Sequence, residues 1–365
     1  MNLSIPIIFF LIPFIFSCVG DKQSKIIRPD KKEIHDSSDP NIISFKAVGD
    51  TILGTNFPEN RLIDNTDKLF ANVLDLLQGS DLLFANYEAT LTEYPKSSKD
   101  PNRPNTYAFR APPEYAEILK KTGFDVLSVV NNHSFDFTET GFIDTMNHIN
   151  NAGMLAVGGK NQIQYTIVKG IKISFIGFGY QRYHNSINDF ASAERLVKEA
   201  VGLSDIVVVS IHAGAEGPGA IHVKDEVETF LGENRGNIVQ FSHKMIDLGV
   251  DLVLGHGPHV PRAMELYKDR LVAYSMGNFL GYRTLSAQGL GGYSMILQVS
   301  VDNQGRFLQG NIIPILMKAP GIPYPDPDYK TIGLVRKLIQ EDFPFTSLEL
   351  DEMGNFYRSA SVSWK

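Results

Sequence analysis

The chain has 365 residues, 43% hydrophobic and 21% charged, which is enough for a sizeable globular core in one large or two ordinary domains. A formal net charge of -7, with no run of Lys or Arg, argues against a nucleic-acid footprint, which needs a basic face. The single cysteine, Cys18, excludes an internal disulfide.

Ile5 to Phe16 is almost wholly apolar and is followed by Ser17-Cys18. A short apolar segment ending in a small residue before cysteine resembles a bacterial lipoprotein signal, with Ile15-Phe16-Ser17-Cys18 as its lipobox. That resemblance implies cleavage before Cys18 and a lipid on its sulfur. The segment departs from the usual pattern in having no Lys or Arg ahead of the apolar run. It is also short for a spanning helix, which needs about 20 apolar residues. Residues 1–17 are therefore expected to be a signal peptide and 18–41 a polar, flexible tether. The body is expected to be exported and held at a membrane through Cys18, facing the periplasm or the cell surface.

Order begins near Ile42. Ile43–Val48 reads as a strand stopped by Gly49-Asp50, and Asp67–Leu77 has helical spacing. Leu82–Ala85 is a short buried strand, and Pro95–Asn105 a polar loop. Pro113–Lys121 reads as a helix ending at Gly123, a typical stop. Val126–Val130 is the next strand and Thr138–Asn151 the next helix. This alternation predicts a largely parallel sheet. Tyr165–Val168 and Lys172–Ile176 then flank Lys169-Gly170-Ile171 as a hairpin. Strand Ile206–Ile211, helix Asn237–Leu248 and strand Asp251–Gly255 return to the alternating style. The remainder reads mostly as β, with Met264–Tyr267, Leu271–Tyr274, Tyr293–Val299 and Gly310–Ile315. After a turn-rich stretch, Pro320–Pro327, Lys330–Ile339 reads as a helix. A single α/β domain over 42–318 is expected, with 319–365 as an extension packing on it.

Unusual polar residues gather at strand ends. Gly49-Asp50, Asn86-Tyr87-Glu88, Asn131-Asn132-His133, Ser210-Ile211-His212 and His256-Gly257-Pro258-His259 each close a candidate strand. Open α/β sheets collect ligands at that edge. Carboxylate, amide oxygen and imidazole are the donors of Zn, Mn or Fe sites, and thiolate is absent. Each residue alone has a bland explanation, such as a cap, a turn or a solvated acid. Five consecutive strand ends bearing donors make the joint case for a metal site.

The ordered set Ala47-Val48-Gly49-Asp50, Ala85-Asn86-Tyr87-Glu88, Asn131-Asn132-His133-Ser134-Phe135-Asp136, His212-Ala213-Gly214-Ala215-Glu216-Gly217, Gly255-His256-Gly257-Pro258-His259-Val260 and Tyr274-Ser275-Met276-Gly277-Asn278-Phe279 resembles the CapA family of capsule or poly-γ-glutamate biosynthesis proteins. That family looks like a branch of the calcineurin-like metallophosphatases. The resemblance implies a four-layer αββα sandwich with metal ions between its two sheets. It implies metal ligation by Asp50, Glu88, Asn132, His212, His256 and His259. It makes His133 the general acid or transition-state stabiliser. One or two divalent ions (Mn, Zn, Fe or Mg) are implied, and an anionic polymer or small anionic substrate. The superfamily's first motif carries a histidine two residues after its aspartate, where this chain has Ile52. The resemblance implies metal-assisted hydrolysis or transfer, with a non-catalytic polymer-binding role and a phosphoesterase as the alternatives. Arg235, ahead of a helix, is a candidate bidentate donor to a carboxylate or phosphate. Its alternative is a pair with Glu233. Ser275 and Asn278 lie in a tight turn whose chemistry is either structural or part of the pocket.

Overall fold

The computed structural model describes residues 39–359. The signal segment, Cys18 and most of the tether lie outside the described residues.

Two sheets carry the architecture. The larger runs in the order Leu348–Leu350, Asn355–Arg358, Phe307–Lys318, Tyr293–Asp302, Ile42–Ile52, Leu82–Tyr87, Val126–Ser128 and Leu155–Val157. It is parallel from Ile42–Ile52 through Leu155–Val157 and antiparallel on the other side of Ile42–Ile52. The six-stranded sheet runs Met264–Tyr267, Arg270–Ala273, Leu252–His256, Ile206–His212, Ile171–Gly179 and Gln164–Val168.

Alternation along a strand explains the layering. In Leu82–Tyr87, Leu82 and Phe84 join the core shared with the second sheet. Leu83 and Ala85 join a separate core with Ala116 and Leu119 of helix Tyr115–Thr122 and Met146 and Ile149 of helix Thr138–Asn151. The sheets meet face to face where the rings of Phe84 and Phe175 stack at 6.4 Å. On the far side of the second sheet, helices Phe190–Leu203 and Ile238–Asp247 bury Leu196, Val197, Phe241 and Met245. The rings of Phe178 and Phe241 make an edge contact at 5.0 Å. The order of layers is thus helix, sheet, sheet, helix, the αββα sandwich that the motifs imply. Helix Lys330–Asp342 packs against strands Tyr293–Asp302 and Phe307–Lys318.

Several elements differ from the linear pattern. Asp67–Leu77 is not one helix but a 3-10 turn, Thr66–Lys68, and a single helical turn, Leu74–Leu77. The Lys46 ammonium takes the carbonyls of Leu76 and Gln78 as acceptors, which ends the turn against the sheet. The strong helix Phe190–Leu203 was not singled out, although Ala193, Leu196, Val197 and Ala200 are spaced for one face and Asp189 caps it by accepting from the Ser192 N–H at 3.2 Å. Ile322–Pro325 pairs with Phe307–Lys318 inside the stretch read as turns. Leu348–Leu350 and Asn355–Arg358 then lengthen the larger sheet.

Phe84 is 1% exposed at the sheet–sheet contact, so Phe84→Ala should leave a cavity and destabilise by about 3–5 kcal/mol, read from urea unfolding midpoints. His184 gives a pH-dependent test. Its Nδ1 donates to the Gly158 carbonyl at 3.1 Å among the rings of Phe135, Phe142 and Tyr183, and burial lowers its pKa to about 4. The unfolded chain protonates this imidazole near pH 6.5 and the folded chain only near 4. The stability it confers is therefore present above 6.5 and lost as pH falls through that window. The loss amounts to about 3 kcal/mol, at about 1.4 kcal/mol per pKa unit. His184→Gln should flatten that part of the stability curve between pH 7 and 4.

Candidate metal centre

The strand ends of both sheets converge on one crevice. On the larger sheet a register shift between Val48 and Asp50 sets Asp50 opposite Asn86, and on its other side Asp50 pairs with Asn278. On the smaller sheet His212 lies opposite His256. Gly49 is required here: a Cβ on it would sit 1.9 Å from the Gly277 carbonyl oxygen. The Asp50 N–H donates to that same oxygen at 2.9 Å. Gly257 has φ +105, and its N–H lies 3.3 Å from Asp50 Oδ2, so the Gly-Pro turn closes directly over the carboxylate. His259 itself stands in the left-handed region at φ 59, a conformation uncommon for a residue with a Cβ and tolerated where the surrounding structure fixes it.

Asp50, Glu88 and His212 form a buried group whose ligand atoms all lie within 4.8 Å of one another. His259 Nδ1 is 3.1 Å from Asp50 Oδ2, and its Nε2 is 3.6 Å from Glu88 Oε1. His212 Nε2 is 3.7 Å from that same Glu88 oxygen. His256 Nε2 lies 3.3 Å from the Val48 carbonyl, which leaves Nδ1 as its other ring nitrogen. Asn132 lines the adjoining cleft.

The fit to a cation shows in what lacks a partner. Both carboxylate oxygens of Glu88, Asn132 Oδ1, His212 Nε2 and His256 Nδ1 are buried without a hydrogen bond. Buried polar atoms are nearly always satisfied, and five orphaned atoms on neighbouring strand ends are what a coordinated ion would complete. The titration of the cluster tells the same story. Burial alone would raise the Asp50 carboxyl, yet the hydrogen bond and charge of His259, with His212 and His256 behind it, hold it well below the usual range. Burial, with Asp50 adding, pushes Glu88 well above it. Burial opposes the charged form of His259, but Glu88 and Asp50 together raise it to about 10. The proton on His259 is thus the positive charge that a divalent ion would otherwise supply. Burial leaves His212 and His256 neutral, the form that donates to metals.

His133 stands beside this group. Its Nδ1 is 2.7 Å from Asp136 Oδ2, which also accepts the Phe109 N–H at 2.7 Å. The second ring nitrogen, Nε2, is left for proton exchange. Burial keeps this imidazole lower than usual in spite of Asp136. Lys99 lies 2.6 Å from Asp136 Oδ1 and donates to the Asn132 carbonyl at 3.0 Å. The Arg235 guanidinium is 2% exposed, paired with Glu216 at 2.8 Å and Glu233 at 2.9 Å, and lies over the Tyr180 ring at 4.2 Å. Its donors hold the cleft wall together. Asn278 Oδ1 is 2.9 Å from His259 Nδ1, while its amide donates to the Gly291 carbonyl at 3.1 Å, so it orients the imidazole. Ser275 Oγ accepts the Gly277 N–H at 3.2 Å, which is turn chemistry.

Three contributors escaped the sequence reading. The Asn86 amide donates to Asp50 Oδ1 at 2.7 Å and lies 3.2 Å from His212 Nδ1. The Asn131 amide donates to the Tyr87 carbonyl at 2.8 Å. Both stand inside the quoted motifs, one residue or two from the chosen ligand. Lys99 had no signal beyond its polar loop.

Residues 44–283 match the family described as bacterial capsule synthesis protein PGA_cap. The chain belongs to that family. Among the relatives of this PGA_cap member is the PGA biosynthesis protein CapA of Bacillus subtilis, 27% identical over 295 residues, covering 76% of this chain and 71% of that protein. The capsule biosynthesis protein CapA of Bacillus anthracis is 27% identical over 258 residues, covering 65% of this chain and 59% of the other. Among solved structures, an anchor protein of the inner membrane complex of Plasmodium aligns over 78% of this chain and 88% of its own, at 11% identity and a TM-score of 0.39.

If these donors hold a metal, Glu88→Gln or His212→Ala should abolish retention of Mn or Zn through gel filtration, measured by elemental analysis. Asn278→Ala, which frees the His259 ring, should weaken affinity about 10- to 100-fold, as loss of an orienting partner does elsewhere. Undiminished retention in Glu88→Gln would remove this site.

Proposed function

We propose that this protein is an exported lipoprotein, anchored through Cys18, that acts on an anionic cell-surface polymer of the poly-γ-glutamate kind by metal-assisted hydrolysis or transfer. The observation that carries the reading is the set of orphaned donors around Asp50, beside a cleft of about 800 Å³ that His133 lines. Relatives named for capsule and poly-γ-glutamate biosynthesis support the polymer. The apolar segment ahead of Cys18 supports the anchor. Among the described residues no helix is long and apolar enough to cross a membrane.

Asp50, Glu88, Asn132, His212, His256 and His259 would hold the ion. The chemistry such an ion supplies is Lewis-acid activation of water and of an acyl or phosphoryl oxygen. The rest belongs to the chain's own groups. Asp136 fixes the His133 ring through Nδ1, so that Nε2 exchanges the proton of the leaving or attacking oxygen. Lys99 neutralises Asp136, which keeps His133 from being held permanently charged. Asn278 and the Gly257 turn fix the His259 imidazole against Asp50.

A second reading, polymer binding without turnover, is favoured by one observation. Ile52 is fully buried in the core against the helices, so the first motif offers no imidazole at that place. His133→Ala separates the two. An enzyme should lose about 10²- to 10⁴-fold in turnover of poly-γ-glutamate, the range for a general acid or base, with metal retention and polymer affinity unchanged. Absence of turnover in both wild type and variant would establish the binder.

A further inference from the structure

Beside the catalytic cleft lies a second cavity of about 650 Å³, and the two share Tyr180, Gln181 and Glu233 as a common wall. The shared Glu233 is neutralised by Arg235. Past that wall the lining changes character. Lys160 and Arg182 are exposed at this second cavity, and Arg195 donates to its Asn161 at 3.2 Å. None of these three cations has an ion-pair partner within 4 Å among the described residues. Lys160 instead donates to the Arg182 carbonyl at 2.7 Å, which ties the two together. The carboxylate facing them, Asp189, receives the Ser192 N–H at 3.2 Å at the start of helix Phe190–Leu203. In a chain of net charge -7, three unpaired cations against one acid at a single cavity is a local reversal of sign.

We propose that this cavity is a second subsite of one continuous groove, and that it takes the carboxylates of a chain whose scissile bond lies at the metal centre. The inference rests on the polymer-processing reading above and adds where the rest of the chain lies. The metal-side cleft offers aromatic surface in Tyr107, Phe109 and Tyr183, and its cations Lys99 and Arg235 are already paired. Successive carboxylates of a polyanion therefore find free positive charge only across the Tyr180–Gln181 wall. Lys160 and Arg182 thereby discriminate long anionic chains from short or neutral ones, without touching the reacting bond.

The test is the double variant Lys160→Ser/Arg182→Ser, both positions exposed and clear of the core. Affinity for poly-γ-glutamate, measured by affinity electrophoresis at low and high salt with neutral dextran as control, should fall about three- to tenfold. That range corresponds to about 0.2–1 kcal/mol for each exposed charge contact. The salt dependence of binding should become shallower in the variant. Retention of Mn and binding of a short glutamate oligomer should stay as in wild type. Equal polymer affinity and equal salt dependence in wild type and variant would overturn the subsite. Failure of the metal-loaded wild type to bind the polymer at all would instead overturn the parent reading, and the subsite with it.

Discussion

Two carboxylates, Asp50 and Glu88, are fully removed from solvent at the junction of two sheets, and everything around them answers to that charge. Burying an ionised carboxylate without compensation is costly enough that a protein either pairs it, neutralises it or gives it a metal. This chain does some of each. It places three imidazoles and two carboxamides around Asp50, leaves both oxygens of Glu88 without a hydrogen bond, and raises His259 so that its proton offsets the acids. A site kept only for packing would have no reason to hold such a group dry.

The sandwich makes the arrangement possible because two sheets bring strand ends together that no single sheet could. Asp50 and Glu88 arrive from the larger sheet, and His212 and His256 from the smaller. Phe84 packs on Phe175 across the interface and lies 5.8 Å from the His256 ring. The hydrophobic contact that joins the sheets therefore also sets the distance between their ligands. Dense packing of this kind resists sub-ångström shifts, which is what a coordination site needs.

Legibility in the sequence varied with the length scale of the signal. Helix Thr138–Asn151 and the hairpin around Gly170 were plain, because a 3.6-residue or two-residue period is local. The single helix expected over Asp67–Leu77 failed because its carbonyls are captured by Lys46, a residue about thirty positions away. Asp50, Glu88, His212, His256 and His259 could be named as candidates from their strand ends alone. Asn86 could not, since its role depends on standing between Asp50 and His212 from different sheets. Arg235 showed both of its possibilities in the sequence, and only the fold shows its donors engaged by Glu216 and Glu233.

The sequence by itself determined which side chains are available: oxygen and nitrogen donors after strands, no thiolate within the body, and glycines at 49 and 257 where a Cβ has no room. Such features are written in residue type and short spacing, which the linear chain carries in full. Tertiary structure decided which donors face one another, which nitrogen of each imidazole is committed, and which cations are already paired. It also decided that a second, cationic cavity opens beside the first. Those properties depend on register between strands far apart in the chain and on burial, and neither exists until the two sheets close.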